Sequence, residues 1–235
     1  VLVRVDFNVP IKNGKIVDDT RILLALPTIR LLLKNNNAVV LISHLGRPAG
    51  FDQKLSLKPV KFYLESLPDL KKICVYFAES LEADKLENKK KALRLGEILL
   101  VENLRFHEGE KTSSLQFAKA LSTQIDFFVN DAFSVCHRND CSVTLVPSLF
   151  KNKKTAGLLL QKELFEINKV INAQTKKKLA IIGGAKIGTK ITLINNLLNS
   201  CDDIIIGGAM AFTFIKYLKG SIELSLHEPN LFDEI

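Results

Sequence analysis

Val-Asp-Phe-Asn-Val-Pro, residues 5–10, and Ser-His-Leu-Gly-Arg-Pro, residues 43–48, each continue an apolar run into a polar segment. Continuous apolar runs of this length are typical of parallel strands that are covered on both faces. Open α/β sheets bind ligands in the crevice outside the carboxyl ends of their strands. The two stretches therefore predict an α/β fold with a ligand crevice. The side chains expected at that crevice are Asp6, Asn8, His44 and Arg47.

The rest of the chain alternates between short apolar runs and helical patterns. The apolar runs predict strands over Val1–Phe7, Ala38–Ser43, Ile73–Phe77, Ile98–Glu102, Asp126–Asn130, Leu179–Ile182 and Ile204–Ile206. Helical spacing of apolar residues predicts helices over Thr20–Lys34, Leu57–Leu67, Ser114–Gln124 and Leu158–Asn172. Such an alternation predicts two doubly wound, Rossmann-like lobes with parallel sheets, which are joined by a helix.

The boundaries of these lobes follow from changes in composition. The lysine-rich segment Lys151–Lys154 precedes the last long helical pattern, and a second strand–loop–helix series begins at Leu179. We therefore predict a first lobe over residues 1–155 and a connecting helix and linker over 156–178. A second, incomplete lobe is predicted over residues 179–235.

Composition is that of an ordinary globular protein, with 47% hydrophobic and 25% charged residues among 235. No window approaches 18 uninterrupted apolar residues, so no membrane partner is expected. The net charge of +8 could indicate a protein that binds nucleic acid. No basic run is interleaved with aromatic side chains, however, so no nucleic-acid partner is expected. The lysine clusters Lys85–Lys91 and Lys151–Lys154 are expected to be solvated faces or loops.

The four cysteines show no paired spacing. Cys136 and Cys141 enclose His137 and Asp140, which are all possible ligands of a metal. A Cys-x4-Cys pair without a second pair is nevertheless a weak zinc signal. We therefore expect reduced thiols in a cytoplasmic protein and no metal site.

Arginines recur near the ends of the predicted strands of the first lobe. They are Arg21, Arg47, Arg105 and Arg138. Other polar groups at these ends are Asn103, His107, Asn130, Asp131 and His137. A single arginine is more commonly part of a surface ion pair. Several guanidinium groups that converge on one crevice repel each other unless an anion is bound, and their planar forks suit carboxylate and phosphate. The set therefore predicts an anion site.

A second candidate site lies in the segment Ile-Ile-Gly-Gly-Ala-Lys-Ile-Gly-Thr-Lys, residues 181–190, in which a predicted strand leads into two glycines. Gly207 and Gly208 follow the next predicted strand in the same way. Glycines let the backbone approach phosphate oxygens, and lysines neutralise them. The segment departs from the P-loop pattern because Thr189 occupies the lysine position, so a P-loop hydrolase is the weaker alternative. An anion crevice and a nucleotide-phosphate loop together predict phosphoryl transfer.

Segments in the same order along the chain resemble the phosphoglycerate kinase family. They are Arg4–Pro10, Ser43–Pro48, Leu57–Pro59, Val101–Glu110, Asn130–Phe133 with His137 and Arg138, Gly183–Lys186 and Ile206–Phe214. The resemblance implies reversible glycolytic phosphoryl transfer between ATP and 3-phosphoglycerate, which gives ADP and 1,3-bisphosphoglycerate. It also implies a cytoplasmic monomer whose first lobe binds 3-phosphoglycerate and whose second lobe binds Mg-ATP or Mg-ADP.

The resemblance assigns roles to individual residues. The implied 3-phosphoglycerate site consists of Asp6, Asn8, Arg21, His44, Arg47, Arg105 and Arg138. Arg21 and Lys190 are the implied catalytic residues: Arg21 stabilises charge on the phosphoryl group in flight, and Lys190 contacts both the nucleotide and that group. The implied nucleotide contacts are Gly184, Ala185, Lys186 and Lys190 at the phosphates and Gly207, Gly208 and Ala209 near the adenine.

The sequence departs from the family's usual pattern at several points. Ala209 stands where glycine is usual and is expected to crowd the base pocket. Asp140 stands where histidine is usual and is expected to weaken anion binding beside Arg138. The chain begins at Val1 and stops before the family's Gly-Gly-Asp-Thr loop with its magnesium-binding Asp. We therefore expect a fragment of a larger enzyme that is inactive alone; the alternative is a catalytically inactive anion-binding protein.

Overall fold

The computed structural model describes residues 1–173 and 177–235. Within it the chain divides into a first unit, Val1–Leu164, and a second unit, Phe165–Ile235. The predicted connecting segment 156–178 includes residues 174–176, which lie outside the described residues. The three predicted lobe boundaries stay predictions.

The first unit alternates strands and helices, as the sequence predicts. Its strands are β1 (Leu2–Val5), β2 (Ile11–Lys12), β3 (Lys15–Ile16), β4 (Val39–Ile42), β5 (Val75–Ala78), β6 (Ile98–Val101), β7 (Phe128–Asp131) and β8 (Lys154–Ala156). The helices that begin in it are α1 (Thr20–Lys34), α2 (Lys58–Ser66), α3 (Ala83–Ala92), α4 (Glu108–Lys111), α5 (Leu115–Ser122), α6 (Leu145–Ser148) and α7 (Leu158–Ile171). Short 3-10 turns span Gln53–Leu55, Leu104–Phe106 and Phe133–Val135.

Six of these strands form one sheet in the order β5-β6-β4-β1-β7-β8. Every neighbouring pair in this sheet is parallel, and β1 lies between β4 and β7 with Leu2 opposite Val40 and Phe128. The predicted α/β class with a parallel sheet is confirmed. Because all the strands run the same way, their carboxyl ends meet at one edge of the sheet.

The apolar runs are explained by burial on both faces of this sheet. Val3 and Leu41 pack in a core cluster that includes buried residues of α1 and α2. The adjacent residues Leu2 and Val40 pack in a second cluster with residues of α3 and α5. Since successive side chains of a strand point to opposite faces, a strand covered on both sides contains no polar alternation. Each fully buried aliphatic side chain contributes about 1.5–3 kcal/mol.

The second unit contains β9 (Leu179–Gly183), α8 (Ile191–Leu198), β10 (Asp203–Gly207), α9 (Met210–Tyr217) and a 3-10 segment over Pro229–Glu234. Its two strands are parallel neighbours, with Ile181 opposite Ile205. Ile182, Ile194 and Met210 belong to its small core cluster. The sequence places both predicted strands correctly.

The expectation that the lysine clusters are solvated faces or loops is wrong at one position. Lys154 is exposed and begins β8, which pairs with β7. Lys90 on α3 is only 6% exposed, and its ammonium donates to the carbonyl oxygens of Ala120 (2.6 Å), Leu121 (3.0 Å) and Thr123 (2.9 Å). The last carbonyls of a helix have no partner within it, and a cation there satisfies them.

In the part of the chain that the structure describes, no helix has the length and apolar character needed to cross a membrane.

Candidate functional site

A cavity of about 310 Å³ lies among the loops that follow the strands of the first unit. Six of the seven residues predicted for the anion site line it: Asn8, Arg21, His44, Arg47, Arg105 and Arg138. We call this cavity the crevice. The seventh predicted residue, Asp6, lies behind the lining, where its carboxylate accepts hydrogen bonds from Arg21 and from the hydroxyl of Ser134 (2.6 Å).

Two side chains hold the loops of the crevice together, the buried Asn103 and the half-buried Asn8. The Asn103 amide bonds to both backbone groups of Leu45, with its nitrogen 2.8 Å from the Leu45 oxygen, and its oxygen accepts from the Arg105 N–H at 3.1 Å. Asn8 accepts from the Gly46 N–H at 2.9 Å, which joins the loops after β1 and β4. Asn103 is fully buried. It therefore positions Arg105 and His44 rather than facing a ligand.

Arg4, on β1, is fully buried and was not among the residues predicted for the site. Its Nε donates to the Ser142 hydroxyl at 3.0 Å, and its Nη2 lies 3.0 Å from Nδ1 of His44. Glu110, also buried, accepts from the Ser142 hydroxyl at 2.6 Å. A charged residue inside an otherwise apolar strand was the signal available in the sequence, because a buried guanidinium is retained only with partners.

This network sets the protonation of His44. A guanidinium can only donate, so Nδ1 of His44 accepts from Arg4 and the ring proton is carried by Nε2. Burial, together with the charges of Arg4, Arg105 and Arg138, lowers the pKa of His44 to about 2. His44 is therefore neutral at physiological pH and brings one N–H donor to the crevice without adding charge.

Replacing His44 with asparagine keeps an acceptor for Arg4. We expect the free energy of unfolding of this variant to decrease less than that of the wild type as the pH falls below 6.5. The unfolded histidine has a pKa of about 6.5 and the folded one about 2. The unfolded chain thus binds more protons between these values, and stability present above pH 6.5 is lost as pH falls toward 2. Urea unfolding at a series of pH values measures this slope. An unchanged slope between pH 6.5 and 4 contradicts the prediction; His227→Asn, at an exposed position of the second unit, is the matched control.

Carboxylates accompany three of the four arginines of the crevice. Asp6 pairs with Arg21, and one oxygen of Asp140 lies 2.9 Å from Nε of Arg138 and 3.3 Å from Nη2 of Arg105. The crevice thus keeps a net positive charge, with four guanidinium groups against two carboxylates, and the paired arginines are held in place before any ligand arrives.

His107, another polar residue that follows a predicted strand, does not reach this cavity. Its ring stacks on Phe117 with centroids 4.3 Å apart, and its Nδ1 accepts from the Gly109 N–H at 3.0 Å. Both rings line a separate cavity. The structure therefore separates His107 from Arg105, although the two are close in sequence.

In the second unit, the two predicted glycine turns approach each other closely. Gly183 and Gly207 are opposite each other at the ends of β9 and β10. Gly208 has φ +69°, and a Cβ there would lie 2.8 Å from the carbonyl oxygen of Gly184. The Met210 N–H donates to that same oxygen at 2.9 Å. Only glycine at 208 allows this approach.

The predicted lysines flank this glycine turn. Lys190 immediately precedes α8, and its Cε lies 3.0 Å from where a Cβ on Gly184 would stand. Lys186 and Ala185 are exposed, whereas Ala209 is half-buried before α9. Bare backbone between two lysines fits the phosphates of a nucleotide. Among the described residues, no group of three or more His, Cys, Asp or Glu is placed to hold a metal ion.

Known proteins resemble the chain in sequence. The family model described as phosphoglycerate kinase matches residues 1–235. The phosphoglycerate kinase of a Nitratiruptor species is 46% identical over 236 residues, which cover 100% of this chain and 58% of the relative. That of a Hydrogenobaculum species is 44% identical, covering 99% of this chain and 58% of the relative. The chain thus spans about 58% of the length of these relatives.

Solved structures give the same result. The structure of phosphoglycerate kinase from Coxiella burnetii matches with a TM-score of 0.83 and 36% identity, covering 99% of this chain and 57% of that one. The phosphoglycerate kinase of Pyrococcus horikoshii OT3 matches with a TM-score of 0.82 and 30% identity, covering 94% and 55%.

Proposed function

Because its whole length matches the family model, the chain belongs to the phosphoglycerate kinase family, and we propose that this protein transfers a phosphoryl group reversibly between ATP and 3-phosphoglycerate. In the direction of ATP consumption, a carboxylate oxygen of 3-phosphoglycerate attacks the γ-phosphorus. The bond from that phosphorus to the bridging oxygen of ADP breaks, and 1,3-bisphosphoglycerate forms. In this proposal the first unit binds the phosphoglycerate and the second binds the nucleotide.

The observation that carries the proposal is the convergence of four arginines and a neutral histidine on one cavity. 3-Phosphoglycerate has a phosphate at one end and a carboxylate at the other, and guanidinium forks suit both groups. The Nε2–H of His44 adds a donor that does not depend on pH near neutrality. Asn8 supplies a further polar group at the wall. Asp6 contributes indirectly, since it orients Arg21.

Arg21 is our proposed catalytic residue of the first unit. Its side chain is 49% exposed while its guanidinium is tethered to Asp6. It is therefore oriented and still accessible. Charge spreads over the equatorial oxygens of a phosphoryl group in flight, and a positioned cation stabilises that charge. Lys190 is proposed to act on the same group from the nucleotide side.

The nucleotide side of the proposal rests on the glycine turn of the second unit. Gly184, Ala185, Lys186 and Lys190 are proposed to hold the phosphates, with Gly207, Gly208 and Ala209 near the base. Magnesium would neutralise phosphate charge when the nucleotide is bound. We further propose that the protein works as a monomer and that it is located in the cytoplasm. The location agrees with its unpaired cysteines.

Replacing Lys186 with alanine is expected to raise the KM for ATP about tenfold or more, while the KM for 3-phosphoglycerate changes little. A hydrogen bond to a charged group is worth about 1.5–3 kcal/mol, and 1.4 kcal/mol corresponds to a factor of ten. The measurement is ATP-dependent formation of 1,3-bisphosphoglycerate with each substrate varied in turn. Lys216→Ala, an exposed lysine on α9 of the same unit, is the matched control.

Three outcomes of these measurements speak against the proposal. Equal effects of Lys186→Ala and Lys216→Ala would remove the glycine turn from the nucleotide site. Binding of 3-phosphoglycerate with neither nucleotide binding nor turnover would instead support an inactive anion-binding protein. Hydrolysis of ATP that needs no phosphoglycerate would support a hydrolase.

A further inference from the structure

Asp140 is a buried carboxylate placed directly behind the crevice. Its side chain is 6% exposed, and a single oxygen, Oδ2, lies 2.9 Å from Nε of Arg138 and 3.3 Å from Nη2 of Arg105. Both arginines line the crevice and Asp140 does not. The carboxylate therefore contacts the same two guanidinium groups that an anion in the crevice would contact, from the opposite side.

The remaining contacts of these arginines show what Asp140 leaves free. Arg105 also donates from Nη1 to the Gly46 carbonyl at 2.7 Å, so both of its terminal nitrogens are engaged. Arg138 uses Nε for Asp140. Each terminal nitrogen carries a second N–H, so a ligand can still bind Arg105, and it does so next to a fixed negative charge.

The net charge of this group of residues shows that Asp140 weakens the binding of an anion. Two positive charges accompanied by one buried negative charge present a net of one to a ligand, instead of two. Since Asp140 is shielded from water, its repulsion of an anion in the crevice is weakly screened. Its hydrogen bonds also hold the two guanidinium planes in place, which alone would favour binding. The electrostatic effect is the larger one, because Arg105 is additionally fixed by Gly46 and stays oriented without Asp140.

We propose that Asp140 limits the affinity of the crevice for phosphorylated carboxylates, because its fixed negative charge lowers the positive potential that Arg105 and Arg138 present to the ligand. A site that holds its product less tightly releases it faster, so the residue favours turnover over tight binding. The identity of the ligand as 3-phosphoglycerate rests on the proposed function. This electrostatic effect applies equally to inorganic phosphate.

The test is the substitution Asp140→Asn, which keeps the shape of the side chain and removes its charge. Titration calorimetry at low ionic strength with 3-phosphoglycerate, and separately with inorganic phosphate, gives the two dissociation constants. We expect both to fall about tenfold relative to the wild type. Asp69→Asn is the matched control, because Asp69 pairs with Arg30 on α1 away from the crevice. It makes the same change in net charge and is expected to alter either constant by less than about twofold.

Thermal unfolding separates this role from a structural one. Without its counter-ion the buried Arg105 is uncompensated, so the unliganded Asp140→Asn variant melts at a lower temperature than the wild type. Saturating phosphate is expected to raise its melting temperature more than it raises that of the wild type. A lower melting temperature with no larger ligand shift, or affinities that are unchanged or weaker, overturns the proposal.

The remaining outcomes are also decisive. If Asp140→Asn does not fold, Asp140→His measured at pH 8 supplies a second uncharged side chain, and the same tightening is required of it. If the wild type binds phosphate but not 3-phosphoglycerate, the proposed function fails. The phosphate titrations still decide the role of Asp140.

Discussion

Replacing Arg21 with alanine is expected to lower kcat by about 100- to 1,000-fold and to change the KM for 3-phosphoglycerate only modestly. Loss of one preorganised donor from a developing charge has costs of this order. An interaction made mainly in the transition state appears in kcat, whereas uniform binding appears in KM. Steady-state kinetics of ATP-dependent 1,3-bisphosphoglycerate formation measure both. Unchanged turnover would remove Arg21 from the catalytic step.

The chain offers a close control for this substitution. Arg30 lies on the same helix, α1, pairs with an aspartate as Arg21 does, and has a similarly exposed side chain, 50% against 49%. Arg30→Ala removes a more exposed ion pair, since the side chain of Asp69 is 41% exposed and that of Asp6 only 11%. Such a surface pair is worth about 0–1 kcal/mol of stability. Equal kinetic effects of the two variants would show that turnover follows general damage to α1. Recovery of part of the rate in Arg21→Lys would show that charge itself is needed.

The sheet could be predicted from the sequence because strands that are buried on both faces consist of continuous apolar residues. A strand such as β4 has no polar residue between Val39 and Ile42, and its burial is complete on both sides. The crevice could be predicted for a related reason, since the residues that follow parallel strands must meet at one edge. Asn8, Arg47 and Arg105 are brought together in this way, although 97 residues separate the first from the last.

What could not be predicted is which polar residues serve as scaffold and which face the cavity. Arg4 and Ser142 are hydrogen-bonded across 138 positions of sequence, and no local pattern connects them. Asn103 and Arg105 follow the same strand, yet one is entirely enclosed and the other reaches the crevice. This choice depends on side-chain contacts between loops, which periodicity does not encode.

A local signal that the sequence analysis did not use is the pair Asn13-Gly14. Both residues have positive φ, 51° and 72°, and they connect β2 to β3 in an antiparallel hairpin. Asn-Gly between two extended segments is a strong hairpin signal. Its strands have two residues each, so there is no apolar alternation to reveal them. The edge strand β8 was missed for the same reason, because its three residues, two exposed and one half-buried, carry no pattern.

The largest effect on stability is expected at Gly157, just before α7. Its N–H donates to the Asn130 carbonyl at 2.7 Å, which fixes its position at the end of β7. A Cβ at this point would lie 2.2 Å from Oδ1 and 2.7 Å from Cβ of the buried Asp131. That same Oδ1 accepts from the N–H groups of Leu159 and Leu160, at 2.9 and 3.1 Å, and so caps the first turn of α7. Rotation of the Asp131 side chain cannot relieve the contact between its Cβ and a Cβ at position 157, because the Cβ of Asp131 does not move when the side chain rotates.

Gly157→Ala is therefore expected to destabilise the first unit by about 2–4 kcal/mol, of which overpacking supplies about 1–3 and the lost cap about 1. For a chain of this size that corresponds to a decrease in Tm of roughly 10 °C. Thermal and urea unfolding measure it. Gly50→Ala is the control, because a Cβ on Gly50 meets no atom within 4 Å. A Gly157→Ala variant as stable as Gly50→Ala would show that β7 and α7 separate easily. Asp131 would then not hold the start of α7 in place.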